Sequence, residues 1–162
     1  SDKAQVDILI VNKKDAYVRE RAKALGIEQR YFTREDFYNS DKIVDLLTLR
    51  KTDLIVLAGF LWLVPQNLLA AFPNKIVNIH PALLPAYGGK GMYGHHVHQA
   101  VIAARESKSG ITIHYVNEQY DRGDIIFQAE CSLTDQDTVE TLEEKIHLLE
   151  KEHYPKVIDS IL

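Results

Sequence analysis

Short apolar runs alternate with helix-spaced stretches along the first half of this chain, and no other feature restricts its fold so strongly. Val6-Asp7-Ile8-Leu9-Ile10-Val11 is a nearly continuous apolar run of strand length, the pattern of a buried strand. Asp15 to Leu25 has helical spacing and stops at Gly26. A short strand over Gln29 to Phe32 follows. Ile43, Val44, Leu46, Leu47 and Arg50 then recur at helical spacing behind Ser40, a residue suited to cap them. Asp53-Leu54-Ile55-Val56-Leu57-Ala58-Gly59 reads as the clearest core strand. Pro65 opens a short helix with Leu68, Leu69 and Phe72, and Lys75-Ile76-Val77-Asn78 is a further strand. Such alternation predicts an α/β fold with a parallel sheet wrapped by helices. Ligands of such sheets sit beyond the carboxyl ends of the strands, where Gly59, Phe60, Asn78 and His80 fall.

The second half reads differently. A Gly-rich loop spans Gly88 to Gly94, and His95 to Ala104 has helical character. Gly110 to Val116 alternates, and Asp124 to Leu133 supplies a second late strand, so the two suggest a hairpin-like pair. Asp137 with Glu140 forms a capping-box-like start to a long helix. Val139, Leu142, Ile146, Leu149, His153 and Val157 mark one face of it, and Pro155 is expected to kink it.

At 162 residues the expectation is a single domain with a real core. A net charge of −4 with mixed signs argues against a nucleic-acid partner. Charged or polar residues interrupt every apolar stretch, so no membrane span is expected. Ser1 opens a polar stretch unlike a signal peptide. The single Cys131 cannot close an intrachain disulfide and suits a reducing compartment, which points to the cytoplasm.

Chemistry concentrates in Asn78-Ile79-His80-Pro81-Ala82-Leu83-Leu84-Pro85, answered by Asp121-Arg122-Gly123. An amide, an imidazole and a carboxylate are what acyl transfer to an amine needs: an oxyanion donor, a proton carrier and a group that orients the carrier. The Asn78 amide can donate to a tetrahedral oxyanion without itself ionising. His80 titrates near neutrality, and a protonated His80 adds a charged donor. Asp121 is expected to hold the His80 ring and to favour its charged form. Pro81 and Pro85 restrict the loop and so reduce the entropy lost in positioning it.

These residues resemble a known family. Asn-Ile-His-Pro-x-Leu-Leu-Pro, the upstream Leu57-Ala58-Gly59-Phe60 and the downstream Ile111-Thr112-Ile113-His114-Tyr115-Val116 with Asp121 are similar to the formyltransferases that use 10-formyltetrahydrofolate, over essentially the whole chain. The resemblance implies a Rossmann-like formyltransferase fold, a mostly parallel twisted sheet with helices on both faces. It implies formyl transfer to the amine of glycinamide ribonucleotide in de novo purine biosynthesis. Asn78, His80 and Asp121 would be catalytic. Leu61, Trp62, Leu63 and Val64, with Asn117, Glu118, Gln119 and Tyr120, would hold the pterin and formyl end of the folate. Arg34 would lie near the folate tail or the substrate, and Glu150 would accept from the ribose hydroxyls. Small-molecule substrates, no metal, and a monomer or homodimer follow from the same resemblance.

Family members begin with a strand and a Gly-Ser-Gly-type loop that cradles the substrate phosphate. No such loop precedes Val6, whose strand matches the family's second, so this sequence is expected to lack that first strand and loop. The Gly88–Gly94 loop is a candidate lid with Lys90 a possible phosphate contact; a plain surface loop is the competing reading. The rival functions are a formyltetrahydrofolate hydrolase, a formyltransferase for charged initiator tRNA, and a non-catalytic folate- or nucleotide-binding module. The first two usually carry a further domain, and the tRNA enzyme also a basic surface. His95, His96 and His98 read as a polar helix start, with a metal site the minor alternative. Cys131 reads as a small core residue, His114 as a buried or interface residue, and Arg122-Gly123-Asp124 as turn chemistry.

Overall fold

The first apolar run forms a strand and pairs in parallel with the second, as its pattern predicts. In the computed structural model, which describes residues 3–162, the chain divides into two compact units, Ser1–Asp53 and Leu54–Leu162. Ser1 and the polar opening read there lie outside the described residues. The first unit runs β1 (Ile8–Val11), α1 (Val18–Ala24), β2 (Glu28–Tyr31), α2 (Arg34–Tyr38) and α3 (Lys42–Leu49). β1 and β2 are parallel, with Ile8 opposite Glu28 and Val11 opposite Tyr31.

Two local features of this unit depart from the sequence reading. The five-residue helix α2 was not anticipated, because it is too short to show a period. Its signal is a capping box: the Asp36 N–H donates to Thr33 Oγ1 at 3.1 Å, and the Thr33 N–H donates to Asp36 Oδ2 at 3.1 Å. Ser40 is not the cap of α3. Asp41 occupies that position, without a side-chain capping bond, while the Ser40 hydroxyl donates to the Asp36 carbonyl at 2.7 Å.

The second unit runs β3 (Ile55–Leu57), α4 (Gln66–Ala71), β4 (Ile76–His80), α5 (His95–Ala103), β5 (Lys108–Tyr115), β6 (Ile125–Ser132) and α6 (Val139–Ile161). Its sheet has the order β3-β4-β5-β6. β3 and β4 are parallel; β4–β5 and β5–β6 are antiparallel. The α/β class, the parallel pairing and the late hairpin are thus as the sequence predicts. The antiparallel docking of β5 on β4 was not read, and it proves to matter most for the site.

The stretch around β3 is less buried than its composition suggests, with Val56 41% exposed. The core is built on the inner strands instead. Val77, Ile111 and Ile113 are wholly buried and pack with Val97 and Val101 of α5 and Leu142 and Ile146 of α6. Helix α6 is capped by Thr138 and Thr141, not by Asp137 and Glu140. Asp137 serves the preceding turn, accepting from the Thr134 N–H at 2.8 Å and the Thr141 hydroxyl at 2.9 Å. Pro155 lies inside α6 without ending it. Among the described residues no helix is long and apolar enough to cross a membrane.

Candidate active site

β4 is buried on both faces at its start and turns polar at its carboxyl end. Asn78 and His80, two residues apart, project from the same face of the strand. Antiparallel pairing places His114 opposite Asn78 and Thr112 opposite His80. Neighbouring side chains on one face of such a pair are in contact range. The Asn78 amide Nδ2 lies 3.3 Å from His114 Nε2, while His114 Nδ1 lies 2.8 Å from the Tyr115 carbonyl. With Nδ1–H donating to that carbonyl, Nε2 is the acceptor for the Asn78 amide. The β5–β6 register slips between Ile113 and His114, an irregularity of the kind that re-aims side chains beside functional sites.

Asp121 arrives from the loop between β5 and β6. Its φ of +54° lies in the left-handed region, unusual for a residue with a side chain. Gly123 permits the return of that loop: a Cβ there would meet the Tyr115 carbonyl oxygen at 1.7 Å. Asp121 Oδ1 is 3.5 Å from His80 Nδ1 and 3.6 Å from His114 Nε2. Its other oxygen, Oδ2, accepts the Gly89 N–H at 3.0 Å. His80 Nε2 lies 2.7 Å from the Tyr87 carbonyl, so that nitrogen carries the hydrogen, and Nδ1 is left facing the aspartate. Tyr87 itself has a φ of +56°, which belongs to the turn that aims its carbonyl back at the ring.

The electrostatics bear out the direction of one expectation and add an opposing cause. His80 is only 3% exposed, and burial pushes its pKa below the ordinary histidine value. The Asp121 charge and the Tyr87 carbonyl pull the other way without prevailing, and His114 adds to the lowering. Asp121 thus favours the charged ring, as expected, but burial outweighs it and the imidazole is neutral at neutral pH. Burial also opposes ionisation of Asp121. The approach of His114, the His80 ring and the Gly89 N–H together outweigh that and hold its carboxyl below the usual range. The resting site thus contains an anionic carboxylate beside a neutral ring that can take a proton at Nδ1.

The residues assigned to substrates by resemblance are distributed as follows. Leu61 is exposed, Trp62 and Leu63 are half-buried with Trp62 edge-on to Phe60 at 5.9 Å, and Val64 is buried with its side chain in the core. Asn117 and Tyr120 are half-buried; Glu118 and Gln119 are exposed. The Gln119 N–H donates to Asn117 Oδ1 at 2.9 Å, a local turn that shapes the segment leading to Asp121. Glu150, on α6, is partly buried, and burial raises its pKa. One turn later the Tyr154 hydroxyl donates to the Leu57 carbonyl at 2.8 Å, tying α6 to the carboxyl end of β3. Arg34 belongs to the first unit. It lies over the Tyr38 ring at 5.1 Å and lines a concavity of about 400 Å³ with Glu35, Tyr38 and Asn39.

Sequence reasoning missed three contributors. His114 was read as a buried or interface residue, and it is buried; the further signal was its place opposite Asn78, visible only once β5 is known to run antiparallel to β4. Gly89 was read as part of a candidate lid, yet its N–H holds Asp121. Gly88 permits the same approach, since a Cβ there would meet Leu84 Cδ2 at 2.5 Å and Asp121 Cβ at 3.3 Å. The histidine-rich start of α5 does not form a metal cluster; among the described residues no three His, Cys, Asp or Glu side chains are grouped to hold an ion. Cys131 is half-buried, and burial raises its thiol pKa.

The chain is similar over nearly its whole length to known proteins. The family described as formyl transferase matches residues 1–158. The chain is 42% identical over 161 residues to the chloroplastic phosphoribosylglycinamide formyltransferase of Arabidopsis thaliana, covering 96% of this chain and 55% of that protein. It is 39% identical to the phosphoribosylglycinamide formyltransferase of Bacillus subtilis, over 98% of this chain and 81% of the relative. The crystal structure of glycinamide ribonucleotide transformylase 1 from Geobacillus kaustophilus superposes with a TM-score of 0.88 at 37% identity, over 98% and 84% of the two chains. With the matched region spanning both units and the Asn78, His80 and Asp121 cluster in place, the chain belongs to the formyl transferase family, alongside the phosphoribosylglycinamide formyltransferases.

Proposed function

We propose that this chain transfers the formyl group of 10-formyltetrahydrofolate to the primary amine of glycinamide ribonucleotide, a step of de novo purine biosynthesis. The observation that carries this reading is the convergence of Asp121 on His80 beside Asn78, in a chain of this family. The amine lone pair attacks the formyl carbon, and the carbonyl electrons move onto oxygen. An Asn78 N–H donates to that oxygen; a donor in such a position is worth roughly 3 kcal/mol of barrier. The nitrogen that attacked is now cationic. His80 Nδ1, neutral at rest, takes its proton, and Asp121 at 3.5 Å stabilises the imidazolium so formed. The proton then passes to N10 of the folate as the C–N10 bond breaks, leaving formylglycinamide ribonucleotide and tetrahydrofolate. His114 and Gly89 act on this sequence through Asn78 and Asp121, which they orient.

In the same reading, Leu61, Trp62 and Leu63 with Asn117 to Tyr120 receive the pterin, and Val64 contributes backbone only, its side chain being buried. Arg34 lies near the folate tail or the substrate. The partly buried Glu150 accepts from ribose hydroxyls, for which its desolvated carboxylate is a suitable acceptor. The two units work as one formyltransferase domain, in the cytoplasm, as a monomer or homodimer. The test supplies formylfolate with and without glycinamide ribonucleotide and follows tetrahydrofolate. Release that depends on the amine supports the transfer. Amine-independent release would make the protein a hydrolase, and binding without release would make it a non-catalytic module.

A further inference from the structure

The loop that follows His80 is buried at Ala82 and Leu84, yet its backbone has few backbone partners. Ala82 is fully buried and Leu84 is 6% exposed. Outside the helices and strands, no backbone–backbone hydrogen bond among the described residues involves positions 81 to 86. Buried peptide groups left without partners are costly, so something else must satisfy them.

Two side chains from the neighbouring strands do so. The Thr112 hydroxyl donates to the Ala82 carbonyl at 2.7 Å and accepts the Leu84 N–H at 3.0 Å. Gln128 Nε2 donates to the Leu84 carbonyl at 3.0 Å and to Thr112 Oγ1 at 2.9 Å. The Thr112 hydroxyl thereby uses its one hydrogen and both lone pairs, and the side chain is wholly buried. The two residues face each other in the β5–β6 register, and Thr112 faces His80 in the β4–β5 register. His80, Thr112 and Gln128 therefore form one row across three strands.

The loop that this row holds is the one that sets the site. Leu84 packs where a Cβ at Gly88 would fall, 2.5 Å from Leu84 Cδ2, and Asp121 lies against the same glycine. Tyr87, at the end of the loop, provides the carbonyl that fixes the hydrogen of His80 on Nε2. Gly89, two residues further, provides the N–H that holds Asp121. A shift of Leu84 is transmitted to both partners of the proton carrier.

We propose that Thr112 and Gln128 are positioning residues for the transfer reaction: a cross-strand clamp that sets the height of the 81–88 loop and, through Tyr87 and Gly89, the ring nitrogen that His80 presents to Asp121. The proposal rests on the catalytic role given above to His80. Neither residue touches the reacting atoms. The clamp explains why a hydroxyl occupies the centre of an apolar strand flanked by Ile111 and Ile113, both fully buried. A valine there would match the shape and leave Ala82 and Leu84 with unmet groups.

The test compares Thr112→Val, Thr112→Ser, Gln128→Leu and the parent chain in two assays. The first measures kcat and KM for the formyl transfer. Thr112→Val is expected to lower kcat by about 10- to 100-fold, with KM for either substrate changed less than about threefold. Thr112→Ser, which keeps the hydroxyl, stays within about threefold of the parent in kcat, and Gln128→Leu falls between. The second assay needs no turnover: imidazole nitrogen NMR of His80, with signals assigned through a His80→Gln control. The parent carries its hydrogen on Nε2, Thr112→Val mixes the two tautomers, and Thr112→Ser does not. Should Thr112→Val fail to fold, Gln128→Leu, at an exposed position, gives the same readout in a folded chain. An unchanged His80 tautomer and unchanged kcat in folded Gln128→Leu and Thr112→Val would overturn the clamp. An equal loss in Thr112→Ser and Thr112→Val would do so too. A parent chain that transfers no formyl group while its tautomer still responds to Thr112→Val overturns the proposed reaction and leaves the clamp standing.

Discussion

The two units place their polar groups in opposite ways. In Ser1–Asp53 the charged contacts stay at the surface: the Arg50 guanidinium reaches Asp7 Oδ1 and Glu28 Oε2, each at 2.9 Å, and the Lys42 ammonium pairs with Asp36. Leu54–Leu162 has exposed pairs too, such as Lys108 with Glu130, but the polar side chains of its site are buried, with His80, His114 and Thr112 at most 3% exposed. Exposed ion pairs are solvated and screened and contribute little. Buried groups with fixed partners interact strongly, because little water competes and every missing partner is felt. The first arrangement stitches secondary structure together; the second prepares a site whose groups need no reorganisation when charge develops.

The sharpest way to break that contrast is to remove one buried group. His80→Ala and Asp121→Asn are expected to lower kcat by about 10²- to 10⁴-fold, the range of a positioned proton carrier, with circular dichroism unchanged. Either variant turning over near the parental rate would end the distinction, since the buried cluster would then be as dispensable as a surface pair. Asn78→Ala removes one oxyanion donor and should cost about 10²- to 10³-fold in kcat.

Gly123→Ala comes next. The added methyl would stand 1.7 Å from the Tyr115 carbonyl oxygen, so the loop must move, and Asp121, two residues earlier, moves with it. A fall in kcat of about tenfold or more is expected, with thermal unfolding a few degrees earlier. Unfolding at the parental temperature would mean that the close approach is relieved at no cost.

The pH dependence gives a smaller effect with a definite sign. Burial lowers the His80 pKa, so the acid limb of kcat/KM should lie below the ordinary value of 6.5. Asp121→Asn removes the charge that raises that pKa and should move the limb lower still. The same shift acts on stability. As pH drops below 6.5 the unfolded chain takes up a proton that folded His80 refuses, so stability declines until the folded pKa is reached. Asp121, held below 3.8, contributes stability above that value which is lost as pH falls through its folded pKa. An acid limb above 6.5 would mean that Asp121 dominates over burial.

How much of this could be seen in the sequence follows from the range of the interactions. Strands β1, β4, β5 and β6 and helix α6 were legible from apolar spacing along one element, whereas β2, Glu28–Tyr31, carries no such spacing. The meeting of His80 with Asp121 was legible because a strand-end imidazole and a later loop carboxylate were read as partners. The pull of Asp121 toward a charged His80 was legible, while the burial that outweighs it was not, since a nearby carboxylate can be guessed from sequence and the depth of burial cannot. The capping assignments of α3 and α6 went to neighbouring residues, Asp41 and Thr138, because several cap-competent residues stand side by side and only backbone geometry selects one. His114, Gly89 and the Thr112–Gln128 row were hidden for a different reason. His114, Thr112 and Gln128 act across strands and Gly89 between two loops, and the pairing that brings these together belongs to no single stretch of the chain.

The smallest effect belongs to the surface clamp of the first unit, and it sharpens the comparison from the other side. Arg50 joins the end of α3 to Asp7, just before β1, and to Glu28 at the start of β2, and these contacts raise the Arg50 pKa further. Its partners are close, but the guanidinium and the Asp7 carboxylate are accessible to water and salt. Arg50→Gln keeps much of the aliphatic stem and removes the charge. It should lower the unfolding temperature by only about a degree or two, with the difference shrinking as salt is added, and should leave kcat unchanged. If the loss were instead as large as that of Gly123→Ala and indifferent to salt, surface charge in this chain would be as consequential as buried charge, and the division between the two units would rest on something other than solvent access.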